Sequence, residues 1–182
     1  MIHTARLAIV RLTERHLDGY RAIVQHPDTG LYDEGYPKSD QELAEDFAES
    51  LTTPPLSPQG WNEYGVVDVQ GHLVGLLSHR VHEREDGQLV TRMGYHFSPD
   101  YQGRGYATEA VAALLGELAR RREPPVECVV ERDNERSLSL LRRLGFEPLR
   151  PTGELQQHEL LFAAPAIPTT QSPAAYAETQ VA

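Results

Sequence analysis

Between residues 62 and 97 the chain reads as three β-strands, about 62 to 69, 72 to 82 and 89 to 97, joined by short turns at Gln70-Gly71 and Asp86-Gly87. Such turns join antiparallel neighbours, whereas a parallel return needs a crossover of about a dozen residues or more. The middle of the chain is therefore an antiparallel meander. What leaves its third strand is constrained as tightly. The stretch "SPDYQGRGYATEA", residues 98 to 110, passes two glycines and turns at once into an alanine-rich helix.

The flanking sequence alternates between the two backbone periods. "ARLAIVRL" (5 to 12) predicts a strand, and Thr13 then stands at a helix cap, with Leu12 and Leu17 spaced as a hydrophobic staple. That helix runs to about residue 26, where Pro27 and Gly30 end it, and "TGLYDEGYP" (29 to 37) is an acidic, aromatic loop. Ser39 and Glu42 have capping-box spacing, and Leu43, Phe47 and Leu51 recur every four residues, which predicts a second helix to about residue 51 before "TTPPLSPQG" breaks the chain. After the glycine loop, Ala107, Ala110, Val111, Leu114, Leu115 and Leu118 mark one face of a third helix, and Pro124-Pro125 stop it.

"VECVV" (126 to 130) is the nearly unbroken apolar run of a strand buried on both faces. Asn134 suits the N-cap of a fourth helix, and Gly145 its C′ position. Weak strands at about 146 to 150 and 156 to 162 finish a single domain over 1 to 163, and 164 to 182, with little to pack, is expected to be a disordered tail. The expected fold is α+β: a mixed, mostly antiparallel sheet of about seven strands with about four helices on its faces.

Composition narrows the function. Seventeen Lys and Arg against 27 Asp and Glu, a formal charge of -10, disfavour binding to nucleic-acid phosphates and suit either a cationic partner or solubility alone. No run approaches the roughly 20 apolar residues of a membrane span, and "MIHTARLAIVRL" lacks the pattern of a signal peptide, so no membrane partner and a cytoplasmic location are expected. Cys128 is the only cysteine, which excludes an internal disulfide and a thiolate cluster; among Val126, Val129 and Val130 it reads as a buried strand residue. The histidines show no metal-ligand spacing, and no metal is expected. Sheet-edge pairing would allow a homodimer.

The glycine loop carries the most chemistry. The first turn of a helix leaves backbone N–H groups without intrahelical partners at the positive end of the helix dipole. Gly103 and Gly105 permit positive φ and let a bulky anion reach those groups, small Ala107 keeps the helix close to the sheet, and Arg104 adds charge at the rim. The pattern also fits a tight turn. A dinucleotide-binding fingerprint is excluded: residue 108 is Thr where a third glycine belongs, and the preceding strand belongs to hairpins.

Gln102-Gly103-Arg104-Gly105-Tyr106-Ala107 resembles the acyl-CoA loop, Gln/Arg-x-x-Gly-x-Gly/Ala, of the GNAT superfamily of N-acetyltransferases. Thr108-Glu109-Ala110 and "DNERSLSLLRRLGF" (133 to 146) resemble its ribosomal-protein N-terminal acetyltransferase branch. The resemblance implies acetyl-CoA as cosubstrate and assigns a site. The strand through Tyr95 and Phe97 pairs by main chain with the pantetheine arm; Gln102, Gly103, Arg104, Gly105, Tyr106, Ala107 and Thr108 hold the pyrophosphate; Asn134 and Ser137 lie beside the pantetheine, and Leu141, one turn on, lines the channel. It also implies that the strands ending at Phe97 and spanning 126 to 131 splay into a V with the thioester at its mouth.

The expected reaction is acetyl transfer to a primary amine by direct attack in a ternary complex, a protein N-terminal amine being favoured over a polyamine or aminoglycoside by the branch resemblance. Glu83, Glu131 and His82 stand near strand ends as candidate bases, and Asp33 and Glu34 in the acidic loop as recruiters of a cationic amine. Each also reads as a solvated surface group. Many family members carry a tyrosine shortly after the Gly-Phe pair to protonate the leaving thiolate; here none occurs from Gly145 to Ala164, leaving Ser137, His158 or an unaided departure. The same gap admits a non-catalytic acyl-CoA sensor, and a nucleotide-binding module is a third reading.

Overall fold

The computed structural model describes residues 1–31, 35–52, 61–150 and 158–166. Among them, eight strands form one sheet in the order β1-β2-β3-β4-β5-β6-β8-β7: β1 Ile2–His3, β2 Leu7–Arg11, β3 Asn62–Asp68, β4 Leu73–Glu83, β5 Leu89–Phe97, β6 Val126–Glu131, β7 Glu147–Leu149 and β8 Glu159–Ala163. Four α-helices pack on it: α1 Leu17–Val24, α2 Asp40–Thr52, α3 Tyr106–Arg120 and α4 Glu135–Arg143. Every pairing is antiparallel except that of β5 with β6.

The predicted meander is β3, β4 and β5, and its turns close as expected, with Gly71 at φ 86° and Gly87 at φ 79°. β1 went unread in the sequence because two residues carry no period; it exists through its pairing of Ile2 with Ile9 on β2. Caps behave as their spacing predicts. The Glu42 carboxylate accepts from Ser39 N at 2.9 Å while Glu42 N donates back to Ser39 Oγ at 3.3 Å. At the end of α4, Gly145 takes φ 75° and Phe146 N donates to Leu141 O at 2.9 Å, the closure of a helix by a left-handed glycine. The first helix differs from expectation: a 3-10 turn, Glu14–His16, separates Thr13 from α1, and Thr13 N donates to His16 Nδ1 at 3.0 Å. The break at 53–60 lies outside the described residues.

Two cores sit on opposite faces of the sheet. One joins α3 and α4 to Ile9, Val66, Leu77, Met93 and Cys128; the other joins α1 and α2 to Leu12 and Leu76. Alternation along each strand assigns its residues to one core or the other. Burial of this kind contributes roughly 25 cal/mol for each Å² of apolar surface removed from water.

Candidate active site

The parallel pair β5 and β6 holds together over only two positions, Thr91 with Val126 and Arg92 with Glu127. Beyond them the strands separate. β5 stays paired to β4 as far as Phe97, and β6 to β8 as far as Glu131. The β5 main chain over 93–97 therefore has no ladder partner on β6. A cleft of about 660 Å³ fills the fork, lined by 93–97 of β5, 128–131 of β6, the glycine loop, the first turn of α3 and the start of α4.

The loop has the conformation its glycines suggest. Gly103 and Gly105 take φ 75° and 76°, and a Cβ added at Gly103 would meet nothing within 4 Å. Gly105 is the N-cap of α3, and no side chain caps that helix. Its first-turn N–H groups thus face the cleft at the positive end of a 15-residue helix. A diphosphate fits this cradle: it is acid, bulky, and needs close backbone approach. An extended pantetheine fits the unpaired β5 edge, because added-strand pairing is a main-chain interaction.

Gln102, Gly103, Gly105, Tyr106, Ala107, Thr108, Tyr95, Phe97, Asn134, Ser137 and Glu131 all line the cleft. Other expected site residues lie elsewhere. Arg104 is exposed and is not among the residues lining the cleft; its guanidinium lies 5.2 Å over the ring of Tyr101, which does line it, and its Nη2 donates to Asp100 O at 3.3 Å. Leu141 is 0% exposed within the α3–α4 core, because that face of α4 is the one packed on the sheet. Glu83 pairs with Leu89 and His82 with Val90, at the opposite end of β5 from Phe97, so strand register carries both away from the fork. Asp33 and Glu34 lie outside the described residues.

Around the leaving-group end, Asn134 Oδ1 accepts from Ser137 N at 3.1 Å, so the asparagine caps α4. The Tyr95 hydroxyl is buried without a hydrogen-bond partner, and burial pushes the phenol above its ordinary range, with the Ser137 hydroxyl as its polar neighbour. Ser137 is close enough to lower that value in part, yet no hydrogen bond of good geometry closes between the two. Sequence reading gave Tyr95 a main-chain role alone and missed this. Burial also pushes the Cys128 thiol up to about 12, which leaves it inert beside the cleft. Glu131 stands 3.3 Å from His158 Nε2, and His158 O accepts from Arg132 N at 2.8 Å.

A clasp on the glycine loop was also missed. The Glu109 carboxylate accepts from Thr4 Oγ1 at 2.6 Å, Arg6 N at 2.9 Å and Arg6 Nε at 2.7 Å, while Arg6 Nη1 donates to Arg104 O at 2.8 Å. Burial raises the Glu109 carboxyl, but the Thr4 and Arg6 hydrogen bonds outweigh it and hold the group below its ordinary range. The Arg6 guanidinium also lies 4.9 Å over the Tyr106 ring. The hydrogen-bonded partners lie 98 to 105 residues apart in the chain, so nothing in the local sequence announced the contact.

Among the described residues, no helix is long and apolar enough to cross a membrane, and no group of three or more His, Cys, Asp or Glu is placed to hold a metal ion. Solved structures share the fold. An acetyltransferase of the GNAT family from Bacillus anthracis is 16% identical, with 89% of this chain and 96% of that one covered at a TM-score of 0.73. An acetyltransferase from Agrobacterium tumefaciens is 20% identical over 89% and 92%, at 0.71. The ribosomal L7/L12 α-N-protein acetyltransferase RimL, in complex with coenzyme A, is 19% identical over 91% and 97%, at 0.72. A search of curated protein sequences gave no match. Residues 6–147 match the acetyltransferase (GNAT) domain family, and with the forked sheet and uncapped glycine loop described above, the chain belongs to the GNAT family as an acetyl-CoA-dependent acetyltransferase.

Proposed function

We propose that the chain transfers acetyl from acetyl-CoA to the α-amine of a protein or peptide by direct attack in a ternary complex. The observation that carries this reading is the fork: an unpaired strand edge and an uncapped helix start open onto one cleft, which suits the two ends of the same coenzyme. The fold shared with RimL, whose own substrate is ribosomal L7/L12, supports an α-amine over a polyamine or aminoglycoside.

Acetyl-CoA supplies an activated thioester carbonyl; the chain holds and orients it. As the amine attacks, negative charge develops on the carbonyl oxygen, and main-chain N–H groups of the splayed strand stabilise it. The C–S electron pair leaves with sulfur, which needs a proton. We assign that hydrogen bond to the Ser137 hydroxyl, a reading supported by its position in the cleft lining beside Tyr95. An α-amine with a pKa near 8 is about one-tenth neutral at pH 7, whereas a lysine near 10.4 is neutral in roughly one molecule per 2,500. The α-amine therefore asks less of the protein.

Thiol release from acetyl-CoA, measured against N-terminal peptides, lysine-only peptides with blocked termini, spermidine and an aminoglycoside, tests this reading. Saturable release with free N-terminal peptides alone is expected. Saturable CoA binding without thiol above the hydrolysis background would instead establish an acyl-CoA sensor, and ADP-ribose competing as well as CoA a nucleotide-binding module.

A further inference from the structure

The fork has a second face, away from α3 and α4. Along one row of the sheet, Glu63 on β3 pairs with Ser78 on β4, and Ser78 with Gly94 on β5. Their chain neighbours Tyr64, Leu77, Met93 and Tyr95 pack on the α3–α4 core, so strand alternation puts Glu63, Ser78 and Gly94 on the face covered by α1 and α2. Gly94 stands beyond the last ladder pair with β6 and lines the cleft. It contributes no side chain, and a Cβ there would come within 3.0 Å of Ser78 Oγ. No Gly94 side chain therefore stands between that hydroxyl and the β5 main chain. Adjacent strands lie about 4.8 Å apart, which sets the Glu63 backbone roughly 10 Å from that of Gly94. The Glu63 and Ser78 side chains together are long enough to meet across that interval.

Every element packed around Glu63 contributes a titratable group. Tyr20 on α1 hydrogen-bonds to its carboxyl; Asp46 and Glu49 on α2 face it, as does Lys38 from the segment before α2. Lys38 is engaged by Asp46 at 2.6 Å and lies 4.9 Å over the Tyr36 ring, and that ring is 4.5 Å from His96, two residues after Gly94 on the same face. Arg80, two residues after Ser78, stacks 4.7 Å over Trp61. Burial is the largest influence on Glu63 and pushes its carboxyl up to about 7. The group is thus ionised above that pH and able to hold a proton below it.

Resting on the fork as the acetyl-transfer site, we propose that the amine crosses Gly94 from the α1–α2 side and that Glu63, through the Ser78 hydroxyl, takes up the proton the incoming ammonium gives up. The ammonium passes one proton to Ser78 as Ser78 passes its own to the Glu63 carboxylate. The freed nitrogen pair forms the C–N bond, the C–S pair leaves on sulfur, and the second proton lost from nitrogen ends on that sulfur. Glu63 then returns its proton to solvent. Because it acts through Ser78, Glu63 is a positioning residue that holds the proton.

The test is a pH profile of kcat with a free N-terminal peptide, alongside acetyl-CoA calorimetry and thermal melts, for wild type, Glu63→Gln, Glu63→Asp and Ser78→Ala. Wild-type kcat should fall about tenfold for each pH unit below about 7, the side on which Glu63 is protonated. Glu63→Gln should lose that acid limb and about 100-fold in kcat while binding acetyl-CoA within about twofold of wild type. Ser78→Ala, which removes the relay, should lose the limb as Glu63→Gln does, at a lowered kcat. An acid limb that persists in folded Glu63→Gln overturns the proposal and leaves the acetyltransferase reading standing. Wild type that binds acetyl-CoA yet transfers to no amine fails at the earlier step. Should Glu63→Gln not fold, Glu63→Asp decides: a displaced limb with a tenfold loss supports the role, and wild-type behaviour overturns it.

Discussion

Two helices begin at the same cleft, and they begin differently. α4 is closed by Asn134, whose side chain satisfies Ser137 N, whereas α3 starts at Gly105 with no side-chain cap at all. A protein that stabilises one helix start with an asparagine has the means to stabilise the other. The open start leaves its donors for an external anion, and its cost is met by contacts from outside the helix, through Glu109 to Thr4 and Arg6. The closed start positions Ser137 and asks nothing of a ligand. On the proposed function, the coenzyme's anion falls to the open start and the leaving-group hydroxyl to the closed one.

The comparison is most sharply broken at Gly105. Gly105→Val places a β-branched side chain at φ 76°, where its Cβ also approaches Arg6 Nη2 to 3.4 Å. Calorimetry with CoA should show affinity down by about 100-fold or more, the loss of two or three charge-assisted hydrogen bonds, and melts should show about 1–2 kcal/mol of destabilisation. Affinity equal to wild type in a folded variant would show that the open start is not the anion site.

Arg6→Ala should have an intermediate effect, since it removes the clasp and none of the loop donors. CoA affinity should fall by about tenfold and stability by about 1 kcal/mol, the Arg6 side chain being half exposed. The clasp also has a pH signature. The folded Glu109 carboxyl lies below its unfolded value of 4.5, so its contribution is complete above that pH and is lost as the pH falls through the folded value. Melting temperature in acid should therefore drop more steeply in wild type than in Glu109→Gln.

The smallest effect on binding is expected at the closed start. Asn134→Ala should cost about 1 kcal/mol of stability, the usual worth of an N-cap, while CoA affinity changes by no more than about threefold. A loss comparable to that of Gly105→Val would mean that Asn134 serves the coenzyme as much as the helix.

Elements specified by contacts of a few residues were legible. The glycine turns of the meander, the Ser39–Glu42 capping box, the Asn134 cap and the Gly145 closure each depend on partners within one helical turn or one hairpin. So was Cys128, buried as its valine neighbours suggested. The glycine loop was legible because positive φ has a residue signature. What failed was direction and distance. Leu141 shares a helix face with Ser137 by spacing but turns into the core; Glu83 is near a strand end, but the wrong one.

By itself, then, the sequence determined where the chain turns, where helices start and stop, and which loop takes positive φ ahead of α3, because those outcomes follow from φ, ψ and hydrogen bonds between near neighbours. The tertiary structure alone decided that β5 and β6 part after two pairs, that Glu109 meets Arg6, and that Glu63, Ser78 and Gly94 share a row. Those facts depend on strand register between distant segments, and a shift of one residue would turn each side chain to the other face of the sheet.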